Sequence, residues 1–395
     1  MKVLLLTQVL PYPPDSGPKV KTFYVLKYLA QKHEVTLVSF VRGDQSEHIR
    51  VLESYCKTIH TIPMKRSFGQ NLTALFKSLV GNSPWMMARD DIKEMRQLVD
   101  HLATQEKFDV AHADQLNMAQ YAQRVKGARH VLDAHNALWV LYQRLAQTMG
   151  RGVKRWLLER DWRLLKEYEG RICLEFDQVL TVSEEDKASF EEAMGGKKRE
   201  IHVIPIAVDS DELQAIRRDK DASHIVSIGT MYWPPNIDGM MWFLDNVLPL
   251  IWAKRPKTVC DIIGARPPQQ LIDYGKSHTE VNVTGYVDDT TTYLQKAGLM
   301  IVPLRAGGGM RVKILNALSQ ALPLVTTTLG CEGIQVEHGR HLLIADTPSE
   351  FAEAVLWLLD NPDLANKLGE NGRRLIQEKY DYRTACAPLE RIYSN

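Results

Sequence analysis

The residues best placed to do chemistry are Pro303–Asn316, PLRAGGGMRVKILN. Three glycines, Gly307, Gly308 and Gly309, follow an apolar run and lead through Met310 into a helical pattern. Glycines let a backbone approach a ligand closely, and N–H groups at a helix start face anions. Arg311 and Lys313 fall in the first helical turns, where a cation is unfavourable for the helix dipole. That placement makes sense if the two bind phosphate, with Arg305 adding charge ahead of the loop. The GxxxxGK[ST] spacing of a P-loop is absent. The competing reading is a flexible loop with solvated basic side chains.

Three further places carry polar groups or glycines just after an apolar run. Asp133-Ala134-His135-Asn136 would set small polar groups at a strand end, ready for substrate hydroxyls or a developing charge; a structural role for His135 is an equal alternative. The long turn Thr7–Gly17 is not GxGxxG, so the dinucleotide fingerprint is missing; Gly17 either admits an anion to the following helix or is a plain turn glycine. Gly229-Thr230 precedes Met231–Asn236 and an aromatic helix whose Trp242 and Phe243 read as core. No HExxH occurs, and the histidines show no metal-like pairing.

These places need strands to end on them. Apolar runs at Val3–Thr7, Val35–Phe40, Thr58–Ile62, Val110–Ala113, His130–Asp133, Gln178–Ser183 and Ile201–Ile204 alternate with helical stretches such as Lys19–Gln31, Arg89–Thr104 and Arg151–Glu175. After a polar stretch near 210–222 the pattern restarts at His224–Gly229, Thr258–Gly264, Val281–Gly285, Gly298–Pro303 and Leu322–Thr327. Helices follow at Pro348–Leu359, with a Thr347 cap, and at Pro362–Tyr380. Strand and helix in alternation predict α/β architecture with mostly parallel sheets: two Rossmann-like halves, with ligands expected beyond the carboxyl ends of the strands.

Composition narrows the function classes. The chain has 395 residues, 45% hydrophobic and 25% charged, as in soluble globular proteins of two or three domains. Lys+Arg number 49 and Asp+Glu 48, which argues against a protein built to grip nucleic acid. The five cysteines have no CxxC spacing, so a reducing, cytoplasmic setting is expected. Val3–Leu6 is too short for a signal peptide and reads as a buried strand.

Taken in order, these motifs resemble GT-B glycosyltransferases of the retaining glycosyltransferase family four, in its glycine-rich-loop branch. The strongest match is Pro303–Ile334, PLRAGGGMRVKILNALSQALPLVTTTLGCEGI, similar to PLRxGGGTRxKILEAMAxGxPVVxTxxGxEG. Ser227–Met231 followed by Trp233-Pro234-Pro235-Asn236, Val283–Asp288, Phe176–Ser183 and the proline-rich loop ending at Gly17 also match, so the resemblance spans essentially the whole chain. It implies two domains facing each other across a crevice: 1–210 for the acceptor, 222–375 for the donor, and a helix over 376–395 crossing back onto the first. It further implies retaining transfer of a hexose from a nucleotide diphosphate sugar to a hydroxyl acceptor, in polysaccharide or glycoconjugate synthesis, with no metal and no cofactor beyond the donor. Arg311 and Lys313 match the positions that neutralise the diphosphate, His135 a histidine near the transferred sugar, and Gly285–Val287, with Tyr286 and Val287, the place where the base is held. Gly17, Gly229, Thr230, Arg305, the three loop glycines and Met310 complete the expected donor site.

Three departures stand out. Gly308 replaces a glutamate, as is usual in this branch. Asn316 replaces the glutamate expected on the donor ribose, losing the charge that strengthens a bond to a hydroxyl. Pro205-Ile206-Ala207-Val208-Asp209 replaces Pro-Asn-Gly-Val-Asp. Asn316 and Ile206-Ala207 keep open a nucleotide- or glycan-binding protein without catalysis, and a nucleotide-sugar epimerase, which shares the fold, is a further alternative. Peripheral contact with the inner membrane face is also considered, through Lys65-Arg66 and Arg151–Lys166 with Trp156 and Trp162. The preferred reading packs that helix on its own sheet through Val153, Leu157, Leu164 and Tyr168.

Overall fold

The computed structural model describes residues 1–64 and 68–394. The chain divides into two compact units, Met1–Ile206 with the C-terminal residues from Ala385, and Ala207–Thr384. The first holds strands β1 (Lys2–Thr7), β2 (Glu34–Val41), β3 (Thr58–Pro63), β4 (Val110–Asp114), β5 (Arg129–Asp133), β6 (Gln178–Thr181) and β7 (Ile201–Val203). They form one parallel sheet in the order β3-β2-β1-β4-β5-β6-β7. Parallel strands are covered on both faces, which is why Val3-Leu4-Leu5-Leu6 is an unbroken apolar run; all four are 0% exposed. Full burial of each such side chain stabilises by about 1.5–3 kcal/mol.

The second unit holds β8 (His224–Ile228), β9 (Cys260–Ile263), β10 (Val281–Gly285), β11 (Ala297–Val302), β12 (Leu324–Thr326) and β13 (Leu343–Ile344). This sheet is also parallel, ordered β10-β9-β8-β11-β12-β13. In both sheets the order of strands reverses beside the first strand, at β1/β4 and at β8/β11. In open α/β sheets ligands bind at that switch point.

Four helices of the first unit matter below: α1 (Gly17–Leu29), α2 (Phe68–Val80), α3 (Leu138–Thr148) and α4 (Val153–Glu175). The second unit contributes α5 (Pro234–Trp242), α6 (Val312–Ser319) and α7 (Pro348–Asp360). The Thr347–Glu350 capping box at the start of α7 is present in both directions.

The structure corrects several expected elements. The helix expected over Arg89–Thr104 is two, Trp85–Arg89 and Lys93–Gln105. Buried Asp90 breaks it, because its carboxylate accepts from Gln8 and Asn117 and its carbonyl from Tyr121. The helix expected from Arg151 begins at Val153, and burial along it begins only at Asp161. Val153 is 74% exposed, so it does not pack on the sheet, whereas Leu164 is buried and Tyr168 packs against the core of this unit. The single helix expected over 376–395 is a π-helical turn at Ile376–Tyr380, then Tyr382–Ala385 and Leu389–Ser394. Residues 207–210 and 376–384 belong to the second unit because Val208 pairs with Asp381 and Ser210 donates to its carboxylate. Strand β13, two residues long, carries too few residues for any periodic signal.

Close backbone approach fixes one helix contact. A Cβ on Gly170 of α4 would lie 2.1 Å from the Ala193 carbonyl oxygen. Backbone cannot yield there as a side chain can. Gly170→Ala should therefore destabilise the protein by about 1–3 kcal/mol, read as a lowered urea midpoint; an unchanged midpoint would show that this helix pair is free to separate.

Candidate functional site

In the first unit the parallel register places Thr7, Asp114 and Asp133 side by side at the carboxyl ends of β1, β4 and β5. All three are buried. Two adjacent buried carboxylates cannot both stay ionised without cations close by. Lys21 of α1 supplies one: its ammonium is 1% exposed, 3.3 Å from Asp133 and 2.8 Å from the Ile204 carbonyl it donates to. His135 supplies the other, its Nε2 lying 2.9 Å from Asp114 Oδ1. Thr22 Oγ1 donates to the same carboxylate at 2.9 Å.

The titration behaviour follows. Burial alone would lower the His135 pKa, but the charge and hydrogen bond of Asp114, with Asp133 behind, outweigh it and hold the imidazole above its ordinary value. Burial would raise Asp133; Lys21, His135 and His112 outweigh it and keep the carboxyl below its usual range. His112, fully buried, is lowered by burial, with Nδ1 2.6 Å from the Tyr393 hydroxyl. Its Nε2 lies 3.8 Å from the Asp133 carboxylate, the oxygen that the Lys21 ammonium also approaches. His135 itself has φ of 57°, a left-handed conformation uncommon for a side-chain-bearing residue. That strain aims the ring back over the strand ends. Donor atoms of His112, Asp114 and Asp133 lie within 4.8 Å of one another, close enough to suit a cation, and the Lys21 ammonium already provides the countercharge.

Gly17 opens α1 at the same end. A Cβ there would touch nothing within 4 Å, and Ser16 makes no side-chain cap bond to the helix N–H groups. No packing reason requires glycine at this position.

In the second unit β11 runs into the glycine loop and α6, as the apolar run and glycines predict. Gly307 and Gly309 have φ of 106° and 81°, conformations that favour glycine. Met310 is buried and anchors the loop. Arg311 is the residue capping α6; its Nη1 donates to the Gly309 carbonyl at 2.7 Å and to that of Gly308. The Arg311 side chain makes no capping bond to the first turn of α6, where the Ile314 N–H donates to the Arg311 carbonyl at 2.9 Å. Lys313, on the same turn, reaches back to β8. Its Nζ donates to Asn236 Oδ1 at 2.9 Å and lies against Gly229, where a Cβ would sit 3.0 Å from it. Burial first, then Arg311, lowers its pKa to about 8. Among the described residues no carboxylate pairs with Lys313.

The other expected donor residues are placed less tightly. Arg305 is half-exposed and bonded to Asp238 at 2.8 and 3.1 Å, which offsets the charge it was expected to add. Thr230 is exposed, its carbonyl accepting from Asn236 at 3.0 Å. Gly285, with φ of 74°, turns the chain at the end of β10, leaving Tyr286 72% exposed and Val287 half-buried. Asn316 is half-buried on α6, one turn beyond Lys313. The structure thus gathers Gly229, the loop glycines, Arg311 and Lys313. Sequence reasoning missed Lys21, Thr22, His112, Asp114 and the role of Asn236. Asp114 was within reach, being the residue after an expected strand; Lys21 was not, because a lysine on an apolar helix ordinarily reaches solvent.

The buried ion pair makes a specific demand. Lys21→Met should destabilise the protein by about 3–5 kcal/mol, because Asp133 is left buried and uncompensated. Adding Asp133→Asn should recover part of that loss. A urea midpoint equally low in single and double variants would show that the charge is not the cause.

Comparison with known proteins bears on what these sites are. Residues 17–212 match the model described as Glycosyltransferase Family 4, and residues 222–361 that described as Glycosyl transferases group 1. A Klebsiella pneumoniae protein described as an uncharacterised 44.6 kDa protein in the cps region is 21% identical, over 96% of each chain. Among solved structures, HepE of Anabaena in complex with UDP superposes with a TM-score of 0.69 at 15% identity, over 100% of both chains. Sucrose-phosphate synthase from Thermosynechococcus elongatus gives 0.69 at 16% identity, over 100% of this chain and 98% of that one. With two parallel Rossmann-like sheets, each matched by a glycosyltransferase model, the chain belongs to the family-four, group-one glycosyltransferases of GT-B fold.

Proposed function

We propose that the protein transfers a hexose from a nucleotide diphosphate sugar to a hydroxyl acceptor with retention of configuration, in the synthesis of a polysaccharide or glycoconjugate. One observation carries this reading: the Lys313 ammonium, poorly solvated and held by a neutral amide, stands at the start of α6 beside Arg311 and the glycine loop. A cation is costly in that position, and a diphosphate would repay the cost. The complexes of HepE with UDP, with UDP and glucose, and with UDP-glucose support a nucleotide-sugar donor.

In this reading Arg311, Lys313 and the first N–H groups of α6 stabilise the charge that builds on the leaving diphosphate as the glycosidic bond breaks. Met310 and the positive-φ glycines hold the loop that carries them. Gly229 leaves room for the lysine; Thr230, Tyr286, Val287 and Asn316 line the nucleoside end. His135, held protonated by Asp114, would present its ring to the transferred sugar, and Gly17 would admit the donor to the start of α1. The acceptor proton would pass to the departing phosphate, and no step calls for a metal.

Arg311→Ala with Lys313→Ala should cut turnover at least about a hundredfold, the scale of losing a preorganised oxyanion donor. Turnover retained in the double variant would sink the assignment. Product analysis separates the alternatives: donor binding without transfer or hydrolysis over a broad acceptor panel would mark a binding protein, and an altered sugar released without acceptor would mark an epimerase.

The same lysine makes binding pH-dependent. The cationic form binds the diphosphate, and in the free protein it is lost as pH rises through about 8. A bound anion raises that pKa. Donor affinity should therefore be flat below the free value and fall by about tenfold per pH unit above it. Calorimetric titration with UDP across this range tests it; Lys313→Met should remove the fall, and an unchanged slope in that variant would assign it to another group.

A further inference from the structure

Helix α2 is turned inside out. Its inward stripe carries small residues, Ala74 and Ser78, both buried. Its outward stripe carries Leu72, Phe76, Leu79 and Val80, between 45% and 72% exposed. Positions 72, 76, 79 and 80 fall on one side of a 3.6-residue helix, so these side chains form a continuous apolar strip facing solvent.

The strip is extended by a second element. Arg160 of α4 donates to the Ser78 carbonyl at 2.7 Å and to its hydroxyl at 3.2 Å, fixing α2 against α4. Val153 and Trp156, seven and four positions before Arg160, lie on that same face of α4 and are 74% and 58% exposed. Arg155 donates to the Met149 carbonyl at 3.3 Å, tying the end of α3 to the start of α4. On α3, Leu141 and Leu145 share one exposed face with Arg144. Eight of the sixteen exposed large apolar side chains among the described residues thus come from residues 58–89 and 137–158.

Charge is as uneven as hydropathy. These two segments carry eight Lys or Arg and no Asp or Glu, in a chain whose net charge is +1. Lys77, Arg151 and Lys154 are exposed among the apolar residues; Lys65 and Arg66 lie outside the described residues. The acids that adjoin the two segments, Asp90 and Glu159, are already engaged, Asp90 by Arg89 at 2.9 Å and Glu159 by Arg163 and Arg155. Scattered apolar residues need no explanation, but a collected strip ringed by one sign of charge marks an interaction surface.

We infer that the face formed by α2, α3 and the first turns of α4 docks on an anionic lipid bilayer. Phe76, Leu72, Val153 and Trp156 enter the headgroup boundary, and the lysines and arginines meet lipid phosphates, as in helices that lie in a membrane interface. A second copy of the chain does not fit, because a two-fold contact would set cation against cation. Among the described residues no helix is long and apolar enough to cross a membrane, so the contact is superficial. The inference stands apart from the transfer reaction and needs no donor.

Flotation of the full chain with vesicles tests it. Vesicles of phosphatidylglycerol and phosphatidylethanolamine should carry the protein at about 0.05 M salt and release it at about 0.5 M. Phosphatidylcholine vesicles should carry little. Phe76→Ser with Trp156→Ser, and separately Lys77→Glu with Lys154→Glu, should each lower the bound fraction about tenfold while leaving the urea midpoint and donor affinity unchanged. If either pair misfolds, Leu145→Ser with Arg151→Glu serves instead. No flotation on anionic vesicles, or variants that float as well as the parent, would overturn the inference. So would a dimer in sedimentation velocity that Phe76→Ser dissociates, or strip-dependent binding of an acidic protein by a chain that ignores vesicles.

Discussion

Buried charge must be matched, and the first unit is arranged around that requirement. Asp114 and Asp133 end neighbouring strands and are shut away from water. Lys21 is drawn inward from α1, Thr22 beside it donates to Asp114, and His135 adopts a left-handed backbone to bring its imidazole within 2.9 Å. The C-terminal residues share in this, since Tyr393 meets His112 and its carbonyl accepts from Arg129 at 2.7 Å. A network of this kind is costly when half-complete and rigid when complete. It therefore sets the geometry of the strand ends more firmly than apolar packing alone would.

The second unit handles charge in the opposite way. Lys313 and Arg311 stand at a helix start, are partly desolvated, and have neutral oxygens of Asn236, Gly308 and Gly309 about them. Arg305, by contrast, is answered by Asp238. The two units thus treat charge differently. In the first, carboxylate and cation satisfy each other inside the protein; in the second, Lys313 donates to a neutral amide and Arg311 to backbone carbonyls. That contrast agrees with a donor diphosphate on the second unit.

Much of this was legible in the residues. The strands ending at Thr7, Asp133, Ile228 and Val302 all lie where apolar runs place them, because parallel strands buried on both faces leave an unambiguous signature. The glycine loop was equally plain, since consecutive glycines before a helix with early cations have few other uses. Weaker signals failed for identifiable reasons. Asp90 ends a helix through bonds to residues far along the chain. Val153 sits at a helical apolar position yet faces solvent, because periodicity reports a face without saying what covers it.

By itself, then, the order of residues determined the alternation of strands and helices, the two parallel sheets and the cationic glycine loop. These depend on local periodicity and on motifs read within a few residues. Only the tertiary structure decided which charges are spent and which remain. Lys21 and Lys313 look alike in sequence, yet one is neutralised by Asp133, 112 positions away, and the other donates to the neutral amide of Asn236. Compensation acts through space over a few ångströms, where the dielectric is low, and no spacing along the chain encodes it.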